Sequence, residues 1–264
     1  MPELQVTADE ATRPSTAGRL VYAIGDVHGR LDLLEALVGH IALDAIEIRP
    51  LARPLLVLLG DYVDRGPASA LVIDFLLDLE ARGVFELRVL KGNHEDAVLK
   101  FLADPAFGET WARFGGVETL ASYGVHAPPP GAPPEAWRRA RDAFAEALPR
   151  AHLAFFQRLE LMLEVGSYLF VHAGVAPDRP LCEQTEHDIL WIRDEFLEFG
   201  RPLEKTVVHG HTPAAGPEIG VHRIGLDTGC YASHVLTGMR LHGGERAFIQ
   251  SRCERSLGRP AQLH

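Results

Sequence analysis

Cysteine is scarce in this 264-residue sequence. Three are present, Cys182, Cys230 and Cys253, too few and too scattered for a disulfide framework or a thiolate metal site. A reduced, intracellular setting is the simpler expectation. Positive charge is in deficit too, with 26 Lys and Arg against 36 Asp and Glu and a net charge of −10. No overall basic field is available to gather nucleic acid, so a phosphate-directed site needs local cations, either clustered arginines or metal ions. No run approaches the ~18 consecutive apolar residues of a membrane span. The N-terminal stretch MPELQVTADEATRPSTAGR has no apolar core and does not read as a secretory leader. The expectation is a cytoplasmic protein that engages neither membrane nor nucleic acid. What is present, 47% hydrophobic and 23% charged residues, describes a globular protein with a substantial core, long enough for one large domain or two small ones.

Residues 1–18 read as a flexible tail, 19–254 as the folded domain and 255–264 as a second tail. Leu20–Ile24, Leu55–Leu59 and Glu86–Leu90 are short apolar runs expected to be buried strands. Between them, apolar residues at 31, 34, 37, 38 and 41, and then at 71, 72, 75, 76 and 79, mark two amphipathic helices. This β-α-β-α-β order implies parallel strands with right-handed crossovers. Residues 102–150 break the pattern with helical pieces around a turn-rich APPPGAPP, and read as an inserted helical cap. Trp111, Phe114 and Tyr123 are expected to form that cap's own small core. Short strands at 167–171, 206–208, 222–226, 235–241 and 246–249 make the second half strand-rich, and no internal repeat is visible.

Polar residues recur at the strand ends. GDVHG (25–29), GDYVDRG (60–66) and KGNHE (91–95) follow the first three strands; HAG (172–174) and HGHT (209–212) follow two later ones. In open α/β sheets, ligands bind beyond the carboxyl ends of the strands, so these five loops converge on one point. The donors there are Asp26, His28, Asp61, Asn93, His172 and one histidine of 209–211, all oxygen or nitrogen and none a thiolate. That set suits Mn²⁺, Fe or Zn²⁺, and Mg²⁺ less well because of the imidazoles. Six donors are too many for one ion that keeps an open position. Shared through one carboxylate, they fit two ions roughly 3.5–4 Å apart. Asp61, on the middle strand, is the natural bridge.

These motifs resemble those of the phosphoprotein phosphatase family of binuclear metallophosphatases, over residues 20–242 outside the insert. The resemblance implies an α/β fold, a metallophosphatase-like two-sheet β-sandwich flanked by helices, with the metals at its top. It places Asp26, His28 and Asp61 on the first ion, and Asp61, Asn93, His172 and His211 on the second, leaving His209 as a buried neighbour. It also implies two divalent ions, manganese foremost, and direct attack on phosphorus by a bridging hydroxide without a phosphoenzyme. His94 would protonate the leaving group and Asp64 would orient it, while Arg65, Arg193 and Asn93 would hold the phosphate.

Two branches compete. Symmetric diadenosine tetraphosphate hydrolases resemble this chain as well, and LDTGCYASHVLTGMRL (226–241) is similar to their C-terminal segment. They typically read GD-x-V-A-R-G and GNHD, however, whereas this chain has Asp64 in DYVDRG and Glu95 in GNHE. That favours a bacterial serine/threonine phosphatase acting on phosphorylated protein or peptide, with the nucleotide hydrolase as the alternative. A third possibility, a non-catalytic phosphopeptide-binding module, predicts a lost ligand or acid, and every position is filled.

Overall fold

A computed structural model describes residues 14–253. Two five-stranded sheets are packed face to face between two helical layers. In the first, β1 (Val21–Ile24), β2 (Leu55–Leu58) and β3 (Glu86–Val89) are parallel. The hairpin of β9 (Val235–His242) and β10 (Glu245–Arg252) adds antiparallel to β1, giving the order β10-β9-β1-β2-β3. In the second, β5 (Tyr168–Val171), β6 (Thr206–His209) and β8 (Arg223–Gly225) are parallel. They are flanked by antiparallel β4 (Met162–Val165) and the two-residue β7 (Glu218–Ile219). Helices α1 (Leu31–Ile48) and α2 (Ser69–Arg82) make the crossovers between β1, β2 and β3.

The apolar runs are continuous because these strands are buried on both faces. Val21, Ala23, Leu55, Val57 and Leu59 point into the inter-sheet core, where they meet Tyr168, Phe170, Val208, Ile224 and Met239. Their alternates Tyr22, Ile24, Leu56 and Leu58 pack on the helices with Leu34, Leu37, Val72 and Leu76. Behind the second sheet, Leu169, Val171 and Val207 bury Ile189, Leu190 and Phe196, which lie on α8 (Glu186–Trp191) and α9 (Asp194–Leu197). The fold class expected from the sequence is therefore the one observed. No helix among the described residues is long and apolar enough to cross a membrane.

Two boundaries differ from expectation. Residues 14–18, read as tail, are pinned: Thr16 is buried and the Ser15 carbonyl accepts the Ser167 N–H at 2.8 Å. The remaining tail residues, 1–13 and 254–264, lie outside the described residues. The expected cap is a run of helices that begins with the end of α3 (Asn93–Ala103). It continues through α4 (Gly108–Trp111), α5 (Val117–Ser122) and α6 (Pro134–Ala147) to α7 (Arg150–Gln157). Trp111, Leu120, Trp137 and Phe144 join the same core as α1 and α2, so the cap has no separate core. Phe114, expected inside it, is 51% exposed.

Candidate metal centre

Each strand-end loop delivers its side chain to the same edge of the sandwich, and the backbone is bent hard to do so. Eight non-glycine residues among those described have positive φ, and five of them are expected site residues: His28, Asp61, Asp64, Arg65 and His211. Such conformations are uncommon outside glycine and concentrate where function demands an orientation. Gly60 permits the turn before Asp61, since at its φ of +105° a Cβ would sit 2.6 Å from the Gly92 nitrogen.

Asp61 is the hub. Its Oδ1 lies 3.4 Å from His172 Nε2 and its Oδ2 lies 3.6 Å from His28 Nε2. The donor atoms of His28, Asp61 and His94 fall within 4.8 Å of one another, as do those of Asp61, His172 and His211. Asn93 Oδ1 completes the second group, 2.9 Å from both His172 Nε2 and His211 Nδ1. The tautomers suit metal binding. His28 and His172 donate from Nδ1 to the carbonyls of Val63 and Leu59, each at 2.9 Å, which turns a bare Nε2 toward Asp61. Burial holds both rings neutral, pushing His28 down to about 3, with the His94 charge adding to the effect. Burial and then His172 lower His211 to about 2.

Asp26 is close by but differently engaged. Both its carboxylate oxygens lie 3.1 Å from the His211 amide nitrogen. It is buried beside Asp227, a residue that the sequence reading quoted in LDTGC without assigning a role. Burial, then Asp227, then Asp61 push the Asp26 carboxyl well above its ordinary range, and burial pushes Asp227 up to about 6. Three buried carboxyl groups at one point are a poor arrangement for an apoprotein and a good one for cations. The donor set of nitrogen and oxygen, with sulfur absent, fits two divalent ions.

His94 and Asp64, far apart in the chain, meet beside Asp61. His94 Nδ1 donates to Asp64 Oδ2 at 2.6 Å. Burial disfavours a charged His94, but the Asp61 charge and the Asp64 hydrogen bond outweigh it and raise the ring to about 8. Sequence reasoning missed what holds Asp64. Trp111 Nε1 donates to Asp64 Oδ2 at 2.8 Å and the Thr119 hydroxyl donates to Oδ1 at 2.6 Å, both from the helical cap. Trp111, read as cap core, thus also fixes the orienter of His94. Arg65 stacks its guanidinium 4.6 Å above the centroid of Tyr231 and places Nη2 3.2 Å from His94 Nε2.

Arg193 is exposed at the start of α9, with Nη1 3.4 Å from Thr212 Oγ1. No ion pair of Arg193 with Asp194 or Glu195 forms among the described residues. Its charge contributes, after burial and other neighbours, to lowering His172 and His211. Glu95 is the other residue without a signal of its own beyond its place in GNHE. Fully buried, its carboxylate accepts from the amides of Asp61, Tyr62, Val63 and Gly92 at 2.7–3.3 Å and so shapes the loop that carries Asp61.

The model of the calcineurin-like phosphoesterase family matches residues 20–237. The chain belongs to this family. Among similar proteins, the asymmetrical bis(5'-nucleosyl)-tetraphosphatase PrpE of Bacillus velezensis is 26% identical over 246 residues, 86% of this phosphoesterase and 91% of its own length. A symmetrical bis(5'-nucleosyl)-tetraphosphatase of Paracidovorax citrulli is 36% identical over 168 residues, 63% of this chain and 48% of its own. A solved structure described as a candidate diadenosine tetraphosphatase superposes with a TM-score of 0.58 at 22% identity, covering 90% of this chain and 96% of that one; it shares the fold. The serine/threonine phosphatase expectation is thus met at the level of the phosphoesterase family, and the relatives named here are nucleotide hydrolases.

Of the two candidate histidines, His211 reaches Asn93, whereas His209 Nδ1 lies against the Gly210 carbonyl and its ring packs edge-on to Phe196. His211→Ala is expected to lower manganese occupancy by at least about tenfold at limiting metal. His209→Ala should change it by less than about threefold. Elemental analysis of the two purified variants checks this, and the reverse order would exchange their roles.

Proposed function

We propose that this phosphoesterase is a binuclear metal-dependent hydrolase of dinucleoside tetraphosphates. The observation that carries the reading is the likeness along 86% of the chain to PrpE, a protein named for that activity. In this reading Asp26, His28 and Asp61 hold one divalent ion, and Asp61, Asn93, His172 and His211 hold the other. Manganese, iron and zinc all suit these donors. When bound, the ions neutralise phosphate charge and acidify a water for in-line attack. The protein's own residues then orient the substrate. Arg65, locked over Tyr231, and Arg193 grip non-bridging oxygens of the attacked phosphate, with the Asn93 amide beside them. An oxygen bound between Arg65 and His94 accepts from both and frees His94 Nε2 to carry a proton. Asp64, fixed by Trp111 and Thr119, holds that imidazole in place. Cleavage of an anhydride releases a nucleotide that is already a stable anion, so His94 acts here mainly as a positive charge.

Incubation with diadenosine tetraphosphate and Mn²⁺, followed by chromatography of the products, tests the reading. Adenosine mono- and triphosphate together mean asymmetrical cleavage, and two diphosphates mean symmetrical cleavage. No nucleotide product, under conditions where a phosphoserine peptide loses phosphate, overturns it.

A second reading, a monoesterase of phosphoserine and phosphothreonine in proteins, is favoured by one observation: the His94–Asp64 pair is complete, with His94 raised to about 8. A serine alkoxide is a poor leaving group and needs such an acid. Two outcomes separate the readings. On diadenosine tetraphosphate, His94→Asn should lower kcat by about tenfold or less, whereas on a phosphoserine peptide the loss should be about 10²–10⁴-fold. The pH profile gives the sign as well. The acid form of His94 is present below about 8, so turnover of an alkyl phosphate falls as pH rises through that value. Asp64→Asn removes an anion that raises His94, and the falling limb should move to lower pH. A limb that stays in place denies Asp64 its role.

A further inference from the structure

Tyr231 lies in the short helix α10 (Cys230–Ser233), outside the five strand-end motifs, yet it touches residues from two of them. The guanidinium carbon of Arg65 is 4.6 Å from the centroid of its ring. The same ring stands nearly perpendicular to that of His28, with centroids 5.3 Å apart. The backbone beneath it is tied to the loop of Asp26 and His28. Buried Cys230 donates from Sγ to the carbonyls of Asp26 and Val27, each at 3.1 Å, and its own carbonyl accepts from Arg30 Nη1 at 2.9 Å. The ring is therefore carried by an anchored segment.

Arg65 needs such a hold. Its backbone is left-handed, at φ +66°, and its amide donates to the Gly115 carbonyl at 3.1 Å. Those features fix the main chain and leave the long side chain to be held by something else. A bidentate carboxylate is the common way to fix a guanidinium. None is used here: the neighbouring Asp61 and Asp64 pair with histidines, and no ion pair of Arg65 forms among the described residues. A carboxylate in that place would cancel the charge that a phosphate requires. An aromatic face attracts the cation through its quadrupole and leaves the N–H groups without an anion. One of those nitrogens, Nη2, already lies 3.2 Å from His94 Nε2.

We propose that Tyr231 is a positioning residue for Arg65, its ring holding the guanidinium beside His94 with its charge free for an oxygen of the substrate phosphate. Both contacts are made by the ring and neither by the hydroxyl, so phenylalanine serves almost as well and an aliphatic side chain does not. The contact to His28 is the lesser one. That imidazole is fixed separately by the Val63 carbonyl at 2.9 Å, so loss of the Tyr231 ring leaves metal binding intact. This assignment rests on the phosphate-gripping role of Arg65 proposed above, and it applies to a phosphate ester or an anhydride.

Titration calorimetry of inorganic phosphate into the manganese-loaded full chain reads this clamp without turnover and without a nucleotide. Tyr231→Leu is expected to raise Kd for phosphate roughly fivefold, and Tyr231→Phe to keep it within about twofold of wild type. Arg65→Gln should raise Kd at least as much as Tyr231→Leu. Adding Tyr231→Leu to Arg65→Gln should raise it no further, because a residue that acts through another then has nothing left to hold. Manganese content should be the same in all of these proteins. Additive losses in the double variant, a Tyr231→Phe as weak as Tyr231→Leu, or manganese lost from Tyr231→Leu overturns the positioning role. Wild-type protein that binds no phosphate, or Arg65→Gln that binds it equally well, overturns the Arg65 clamp and Tyr231 together. The expected pattern in a protein that cleaves no diadenosine tetraphosphate supports Tyr231 and overturns the nucleotide activity instead.

Discussion

Asp61→Asn should cost on the order of 10³-fold or more in turnover on every phosphate substrate, because loss of a bridging carboxylate removes several kcal/mol of stabilisation from a two-metal site. The substitution is chosen to spare the fold. Asp61 sits at φ +54°, a conformation asparagine also tolerates. Asn retains the oxygen that accepts the His94 amide, 3.1 Å away in this structure. What it loses is the charge. Burial opposes that charge, and the surrounding histidines, His172 and His94 first, hold the carboxyl below its ordinary range all the same. A neutral amide cannot serve two cations, so metal content should fall with activity while circular dichroism is unchanged. Activity within tenfold of wild type, with two metals retained, would show that Asp61 is not shared.

Glu95→Ala should have the largest effect on stability, at least about 4 kcal/mol by denaturant titration. Its two oxygens satisfy four amide N–H groups of the loops 60–63 and 92. The residue is fully buried, so water does not replace the lost acceptor. Each orphaned buried donor costs about 1–3 kcal/mol. Burial and then the Asp61 charge press the Glu95 carboxyl upward, and the amides of Tyr62 and Asp61 press it down. Glu95→Asp is one methylene shorter and should lose part of the same stability, because one carboxylate must span both loops. A loss below about 1 kcal/mol for the alanine variant would mean that the loops hold their shape without it.

The reach of the sequence can be judged residue by residue. β1 and β2 were legible because both faces are buried, which leaves an unbroken apolar run that stops where the chain turns polar. β4 was not legible, since three of its four residues are only partly covered or exposed and its charged Glu164 interrupts any run. The residues that gather at this edge were legible because each stands in a loop that follows a strand. Their supports were not. Trp111 and Thr119 reach Asp64 from 47 and 55 residues away, a relation that no local pattern encodes. Asp227 meets Asp26 only because β8 and β1 end at the same edge. The insert was mistaken for a separate core for the same reason: Trp111 and Phe144 are apolar at helical spacing whichever core they join. Substrate choice was read from Asp64 and Glu95, yet Glu95 only accepts amides of the loops at 60–63 and 92, a contact that does not depend on whether the substrate is a monoester or an anhydride.

Anomalous diffraction from crystals of the full chain saturated with Mn²⁺ tests the central claim most directly. Two peaks are expected roughly 3.5–4 Å apart, with one oxygen of Asp61 between them, His28 and Asp26 on one side and Asn93, His172 and His211 on the other. A single peak, or two peaks that Asp61 does not join, would contradict the account.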